Sequence, residues 1–276
     1  MNAKDKEFVG SIPTVYDEIL VPLMFQDFAC DLAAAVATAA PARVLETAAG
    51  TGVVTRELAS ALPQAQLTAT DLNPAMLARA GSVQPASATL EWRQADALNL
   101  PFEDRSFDAL ACAFGVMFFP DRHRAFREAA RVLEPDGLFA FTVWDSLEHN
   151  PVPRSIVESL HELGQEEAAS FLERVPFSLA DPPLLTGELE AAGFSLVQVR
   201  TIEHLSGPTT PNGIARSHLF GTPTNNYLVL DAPEDGDQLL ASVTTLLTER
   251  FGDGEFRLPV SALLVTAVSP SMEQES

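Results

Sequence analysis

Three carboxylates are set at a regular interval near the ends of short apolar runs. Glu46 opens the stretch Glu46-Thr47-Ala48-Ala49-Gly50-Thr51-Gly52, Asp71 follows 25 residues later (71 − 46), and Asp96 another 25 on (96 − 71). Open parallel sheets bind ligands beyond the carboxyl ends of their strands. A turn of small residues lets the backbone pass close to a ligand, and the helix after it offers free N–H groups to a carboxylate. A carboxylate at the position of Asp71 can accept from both hydroxyls of a ribose. One at Asp96 can accept from the exocyclic amine of an adenine. Each signal is weak alone, because such turns and caps also occur in ligand-free domains. In this order, at successive strand ends, they point to one adenine nucleoside.

The elements that must carry these residues follow from periodicity and punctuation. From Arg43 onward, β-type runs alternate with helical patterns, as in a parallel sheet built from βαβ units. Strands are expected at Arg43–Ala49, Gln66–Leu72, Leu90–Ala95, Phe107–Phe114, Leu138–Trp144, Phe194–Leu205 and Ser261–Val268. Between them, helices are expected at Gly52–Leu62, from Pro74 to Ala80, and after an Asp121 cap, where Ala125, Phe126, Ala129, Val132 and Leu133 recur at helical spacing. Pro135-Asp136-Gly137 reads as a turn. After Asp145 the rhythm changes, with several prolines and shorter helical pieces.

The resulting expectation is an α/β, doubly wound, mostly parallel seven-stranded sheet with helical cap insertions. Residues 1–42 would form N-terminal cap helices and 43–145 the ligand-binding core. Residues 146–185 and 207–256 would be cap insertions, and 186–206 with 257–270 the closing helix and strands of a single domain.

Composition narrows the classes. Hydrophobic residues make up 46% of the 276 and charged residues 20%, a balance that supports a folded core. A net charge of −21 offers no phosphate-binding face, which argues against a nucleic-acid partner. Asp31–Ala42 and Ala109–Phe119 are too short to span a bilayer, and the N-terminus lacks a secretory pattern, so a cytoplasmic protein without a membrane partner is expected. Cys30 and Cys112 read as buried thiols, and no His/Cys/Asp cluster suggests a metal.

The segment Val44–Trp144 resembles the class I S-adenosylmethionine-dependent methyltransferases, especially their ubiquinone/menaquinone-biosynthesis-like small-molecule branch. The likeness rests on VLETAAGTG, LTATDLNPAML, WRQADALNLPFEDRSFDAL and FREAARVLEPDGLFAF. It implies a Rossmann-like fold, with S-adenosyl-L-methionine as methyl donor and S-adenosyl-L-homocysteine as product. Glu46, Ala48, Gly50 and Gly52 would surround the methionine moiety, and Asp71 would hold the ribose. Leu72 and Met76 would pack near adenine and ribose, Asp96 and Ala97 would read the adenine edge, and Phe114 would lie beside the sulfonium. Tyr16 is similar to a tyrosine that closes over the cofactor in this branch. Ala48 departs from the family's pattern, in which a glycine begins the loop.

Methyl transfer from a sulfonium is an in-line displacement helped by proximity and by exclusion of water. A general base is needed only for an acceptor that must shed a proton early. Of the five histidines, His149 just beyond the fifth strand is the candidate base. Phe118 and Trp144, leaving strand ends, are the candidate substrate-facing residues, which suggests a small apolar or aromatic acceptor methylated on O, N or C. Two other readings stay open: a non-catalytic S-adenosylmethionine-binding module, and a nicotinamide-dependent oxidoreductase. Against the latter, Thr55 stands where a GxGxxG motif would need its last glycine. A homodimer is compatible with the sequence, which does not demand one.

Overall fold

Short apolar runs form the inner strands of a single sheet in the computed structural model, and its two edge strands are more polar and largely exposed. The model describes residues 2–8, 10, 12–232 and 235–271. The strands are β1 Arg43–Glu46, β2 Gln66–Asp71, β3 Leu90–Gln94, β4 Phe107–Ala113, β5 Leu133–Trp144, β6 Ser195–Leu205 and β7 Pro259–Val268. Their order is β3-β2-β1-β4-β5-β7-β6. Strands β3, β2, β1, β4 and β5 pair in parallel, whereas β7 runs antiparallel to β5. The order reverses between β1 and β4, which makes their carboxyl ends the switch point of a doubly wound sheet.

The chain divides into two compact units. One comprises Asp27–Trp144, Leu179–Ile202 and Ala262–Ser276, and contains most of the sheet. Its core includes Val44, Leu45, Ala69, Leu110, Phe126, Phe139 and Phe141, with the three phenylalanine rings 5.0–5.9 Å apart. The helix Arg122–Val132 starts as expected, with Asp121 accepting from the N–H of Arg124 at 2.9 Å. The helix Gln26–Ala37 buries Phe28, Leu32 and Val36.

The other unit comprises Met1–Gln26, Asp145–Ser178 and Glu203–Ser261. Its helices are Pro151–Glu162, Glu166–Arg174, Pro211–Phe220 and Asp235–Phe251. The fully buried Asp5 carboxylate accepts from both Arg174 guanidinium nitrogens at 2.8 and 2.5 Å and from the Tyr227 hydroxyl at 2.6 Å. These bonds tie the N-terminal segment to two later segments. A buried Asn150 does the same for the chain just past β5: its Nδ2 donates to the Ser261 carbonyl at 3.0 Å, and its Oδ1 accepts from the Ser261 N–H at 3.0 Å.

Several details depart from the sequence-based expectation. Strand β1 ends at Glu46 rather than Ala49, because Ala48 adopts a φ of 53° and turns the backbone out of the sheet. The Pro135-Asp136-Gly137 turn lies inside β5 as a bulge. Phe107 pairs with Leu133 but Ala109 with Leu138, and Asp136 takes a φ of 62° to absorb the extra residues. Cys30 is exposed, on the outer side of a helix whose other side buries Phe28, Ala29, Leu32 and Ala33, whereas Cys112 is buried as expected. The helical residues Ile12–Ala37, 26 in all, exceed the length expected of any apolar stretch. They are long and apolar enough to cross a membrane by length and composition, and 56% of their apolar window is buried inside the protein. Within them Tyr16–Phe25 is a π-helix around Pro22, whose missing N–H interrupts the ordinary ladder.

The bend at Ala48 is fitted to its surroundings. A Cβ added at Gly115 would come within 2.5 Å of the Ala48 Cβ and 2.8 Å of the Cys112 Sγ. Gly115→Ala is therefore expected to destabilise the fold by about 1–3 kcal/mol in urea titration, the usual cost of overpacking. Pairing it with Ala48→Gly should recover part of that loss. Strict additivity of the two changes would show that the Ala48 methyl is not what Gly115 accommodates.

Candidate active site

The site is built from the loop after β1. Gly50 and Gly52 have φ values of 56° and 82°, and Gly52 precedes the helix Val53–Ala61, whose first N–H groups face the loop. A side chain at Gly52 would strike Trp92, whose ring atom Cη2 would lie 2.6 Å from the added Cβ. Only glycine meets both demands, the left-handed backbone and the close approach of β3. The Gly50 N–H donates to Asp71 Oδ2 at 2.8 Å, so the tips of β1 and β2 are joined directly. The Asn73 N–H takes Asp71 Oδ1 at 2.7 Å. The Asn73 side chain and the Leu72 N–H also favour the ionised carboxylate.

Burial dominates the electrostatics. Glu46 is 3% exposed, and desolvation pushes its pKa up to about 8 despite a 2.5 Å hydrogen bond from the Thr55 hydroxyl. Asp71 is 6% exposed and its pKa is likewise raised by burial, against the pull of the Asn73 and Gly50 N–H groups. Beside Glu46, the Cys112 thiol is pushed up to about 12 by burial and stays protonated. Two carboxylates thus sit out of water with hydrogen bonds, and the charge of Arg56 favours the ionised form of Glu46. The Thr51 hydroxyl in the same loop is buried with no hydrogen-bond partner. This donor set suits a ligand bearing an ammonium, a carboxylate and a diol, so the residues fit S-adenosylmethionine.

The other expected site residues fall around this centre or apart from it. Met76 is buried, and its Cε would be the neighbour of any side chain at Gly50, at 3.7 Å. Leu72 is exposed, with its carbonyl held by Gln94 Nε2 at 2.9 Å. Asp96 begins a tight turn after β3, its Oδ1 accepting from the Leu98 N–H at 2.9 Å, and Ala97 is half-buried within that turn. Phe114, just past β4, takes a φ of 50°, a strained conformation for an aromatic residue. Its ring stacks on Trp144 at 4.2 Å, and both meet Phe28 edge-on. Phe118 ends a short 3-10 turn and is half-buried. Tyr16 and His149 belong to the other unit, where the Tyr16 ring lies 5.2 Å from that of Phe25. Sequence reasoning missed Thr55, nine residues past Glu46, and Gly115, whose role exists only through the fold. Among the described residues no group of three or more His, Cys, Asp or Glu could hold a metal ion.

The sheet order and these strand tips define a doubly wound α/β domain with a nucleoside-type site at its switch point. A family model described as a methyltransferase domain matches residues 45–141. A demethylmenaquinone methyltransferase of Deinococcus radiodurans is 32% identical over 172 residues, 56% of this chain and 68% of that protein. A malonyl-[acyl-carrier protein] O-methyltransferase of Geobacter sulfurreducens is 28% identical over 232 residues, 83% of each chain. Among solved structures, Haemonchus contortus phosphoethanolamine N-methyltransferase 2, in complex with phosphomonomethylethanolamine and S-adenosylhomocysteine, aligns with a TM-score of 0.58. At 19% identity, over 94% of this chain and 57% of that one, the match bears on fold alone. The chain belongs to the class I S-adenosylmethionine-dependent methyltransferase family.

The raised pKa of Glu46 carries a pH signature. Its contribution to ligand-free stability is fully present below the ordinary value of 4.5 and is lost as pH rises through about 8. An ammonium set against it would hold it ionised. Binding of S-adenosylhomocysteine at neutral pH is then expected to release up to about one proton, and progressively less above pH 8. Calorimetry in two buffers of different ionisation heat measures this, and Glu46→Gln should abolish it. Heats independent of buffer in the wild type would remove Glu46 from that role.

Proposed function

We propose that this methyltransferase transfers the methyl group to a small apolar or aromatic acceptor, with Glu46, Gly50, Gly52, Asp71 and Asp96 holding the donor. The carrying observation is the Asp71 carboxylate, buried at the tip of β2 and bonded to the Gly50 N–H of the neighbouring tip. When bound, S-adenosylmethionine supplies an electrophilic methyl carbon on a positively charged sulfur. Asp71 would accept from the ribose hydroxyls. Asp96 would accept from the adenine amine, and the loop and helix N–H groups would take the carboxylate. Glu46 would pair with the ammonium and so recover the cost of its own burial.

The aromatic groups Phe114, Trp144 and Phe118, at the ends of β4 and β5, support an acceptor with apolar surface. Ala48 adds a methyl where the family's loop has glycine, and would narrow the space beside the donor. The charge of −21 disfavours substrates with phosphate backbones, in keeping with a cytoplasmic enzyme acting on small molecules. Residues 146–185 and 207–256, outside the cofactor-binding stretch, would supply acceptor specificity.

The test is a binding cycle on the ribose. Calorimetry should show S-adenosylhomocysteine bound and NAD ignored. Asp71→Asn is expected to weaken S-adenosylhomocysteine by about 100-fold, as for two hydrogen bonds to a charged group. A 2′-deoxyribose analogue should bind the wild type more weakly but the variant no worse. An equal penalty for the analogue in both proteins would take Asp71 off the ribose.

A further inference from the structure

We propose that Arg131, together with Glu128, is a positioning residue for the donor's adenine: the pair sets the loop that carries Asp96 and so decides how strongly the exocyclic amine is read. This rests on the role given to Asp96 under the proposed function, and names what holds that carboxylate in place.

Asp96 begins a stretch that forms neither helix nor strand until β4 starts at Phe107. A binding group has to be held to within about 0.5 Å, and on a loop the surroundings must do the holding. The turn's own bonds are local: Asp96 Oδ1 accepts from the Leu98 N–H at 2.9 Å, and the Asp96 carbonyl from the Asn99 N–H at 2.9 Å. On the upstream side, the Ala95 N–H donates to the Asp71 carbonyl at 3.1 Å and ties the turn to β2. On the downstream side the anchor is the helix Arg122–Val132.

That anchor is a single guanidinium and its carboxylate. The Leu100 N–H donates to Glu128 Oε2 at 2.8 Å, and Arg131 Nη2 donates to the Leu100 carbonyl at 3.0 Å. Arg131 Nη1 reaches the Phe102 carbonyl and Asp104 Oδ1, both at 2.8 Å. Its Nε and Nη2 donate to the two oxygens of Glu128, each at 2.8 Å. All five guanidinium N–H groups are thus taken, three by the loop and two by Glu128. The bonds from Arg131 hold the Glu128 carboxyl below its ordinary value, so it stays charged at neutral pH. Phe102 pins the same loop again, its ring 5.1 Å from that of Phe107 and 4.9 Å from the Arg93 guanidinium.

Asp96, Leu100, Glu128 and Arg131 lie in the same compact unit as Glu46 and Asp71. Leu100 comes directly after the Asp96–Asn99 turn, so freeing it removes one of that turn's two anchors. A lysine at position 131 would keep the charge, but its single ammonium cannot span acceptors on Leu100, Phe102, Asp104 and Glu128 at once. A guanidinium that merely braced the fold would affect every part of the donor alike. One that acts through Asp96 affects the amine alone.

Calorimetry with three ligands separates these cases: S-adenosylhomocysteine, its 6-desamino analogue with hydrogen in place of the amine, and its 2′-deoxyribose analogue. The wild type is expected to lose at least about 10-fold in affinity when the amine is removed, as for one hydrogen bond to a charged group. In Arg131→Lys that penalty should fall below about 3-fold, with S-adenosylhomocysteine bound about 5- to 10-fold more weakly and the desamino analogue bound as in the wild type. The 2′-deoxyribose penalty should keep its wild-type size, because Asp71 is untouched. Asp96→Ala should also remove the amine penalty, and adding Arg131→Lys to it should cost nothing more. Glu128→Gln, which loses one of the two charged acceptors, should shrink the amine penalty as well, and carries the same test should Arg131→Lys fail to fold by circular dichroism. An amine penalty unchanged in both variants would overturn the inference, as would losses in Arg131→Lys and Asp96→Ala that simply add. So would an Asp96→Ala protein that keeps the full amine penalty while still binding S-adenosylhomocysteine, an outcome that leaves the donor site standing. A wild type that ignores S-adenosylhomocysteine would instead sink the proposed function and this inference together.

Discussion

Two carboxylates buried side by side govern how the cofactor-binding unit is built. Glu46 and Asp71 end adjacent parallel strands, and each is all but withdrawn from water. Taking an ionised carboxylate out of water costs several kcal/mol unless hydrogen bonds and a counter-charge offset it. The protein supplies the hydrogen bonds: Thr55 to Glu46, and the Gly50 and Asn73 N–H groups to Asp71. The charge of Arg56 also favours the ionised form of Glu46. In the proposed reading, a ligand with an ammonium and a diol would offset more of that burial cost, so that stability given up in the free protein would return as affinity.

The backbone around those groups is bent to the same end. Ala48 and Phe114, at the exits of two adjacent strands, both hold positive φ, which costs of order 1–3 kcal/mol each for residues with a Cβ. At Ala48 the bend turns the chain out of β1 so that the Ala49 and Gly50 N–H groups can reach Thr70 and Asp71 of β2. At Phe114 it sets the ring against Trp144 rather than into the strand's own line. Gly115 then has to be glycine because the Ala48 methyl occupies the space beside it. These features are coupled, since straightening either exit would disrupt the hydrogen bonds or the ring stack that follows it.

Much of this unit was legible in the sequence because its signals are local. Proline after Asn73, Asp121 before a helical period, and apolar runs ending in acidic residues each report on a few neighbours. The strands they predict match β1–β4 to within a few residues. What escaped depends on contacts distant in sequence. Thr55 reaches Glu46 only because the helix after the loop folds back over β1. The bulge in β5 comes from a mismatch with β4 that neither strand shows alone, and Pro-Asp-Gly reads as a plain turn without it. Cys30 reads as buried in an apolar stretch, but the orientation of a helix whose middle is nearly all Ala, Cys and Leu is set by packing rather than by pattern. The π-helix at Tyr16–Phe25 had a signal in Pro22, although proline alone does not say whether a helix kinks, ends or widens.

The same difference explains why the donor is easier to assign than the acceptor. The groups proposed to hold the donor, Glu46, Gly50, Gly52, Asp71 and Asp96, occupy one continuous run, so a single stretch of sequence carries their geometry. The other unit is assembled from three separate segments, held by bonds such as Asp5 to Arg174 and Tyr227, or Asn150 to Ser261, that span more than a hundred residues. No local pattern specifies such bonds. The acceptor has to be inferred from side chains that the fold alone brings together.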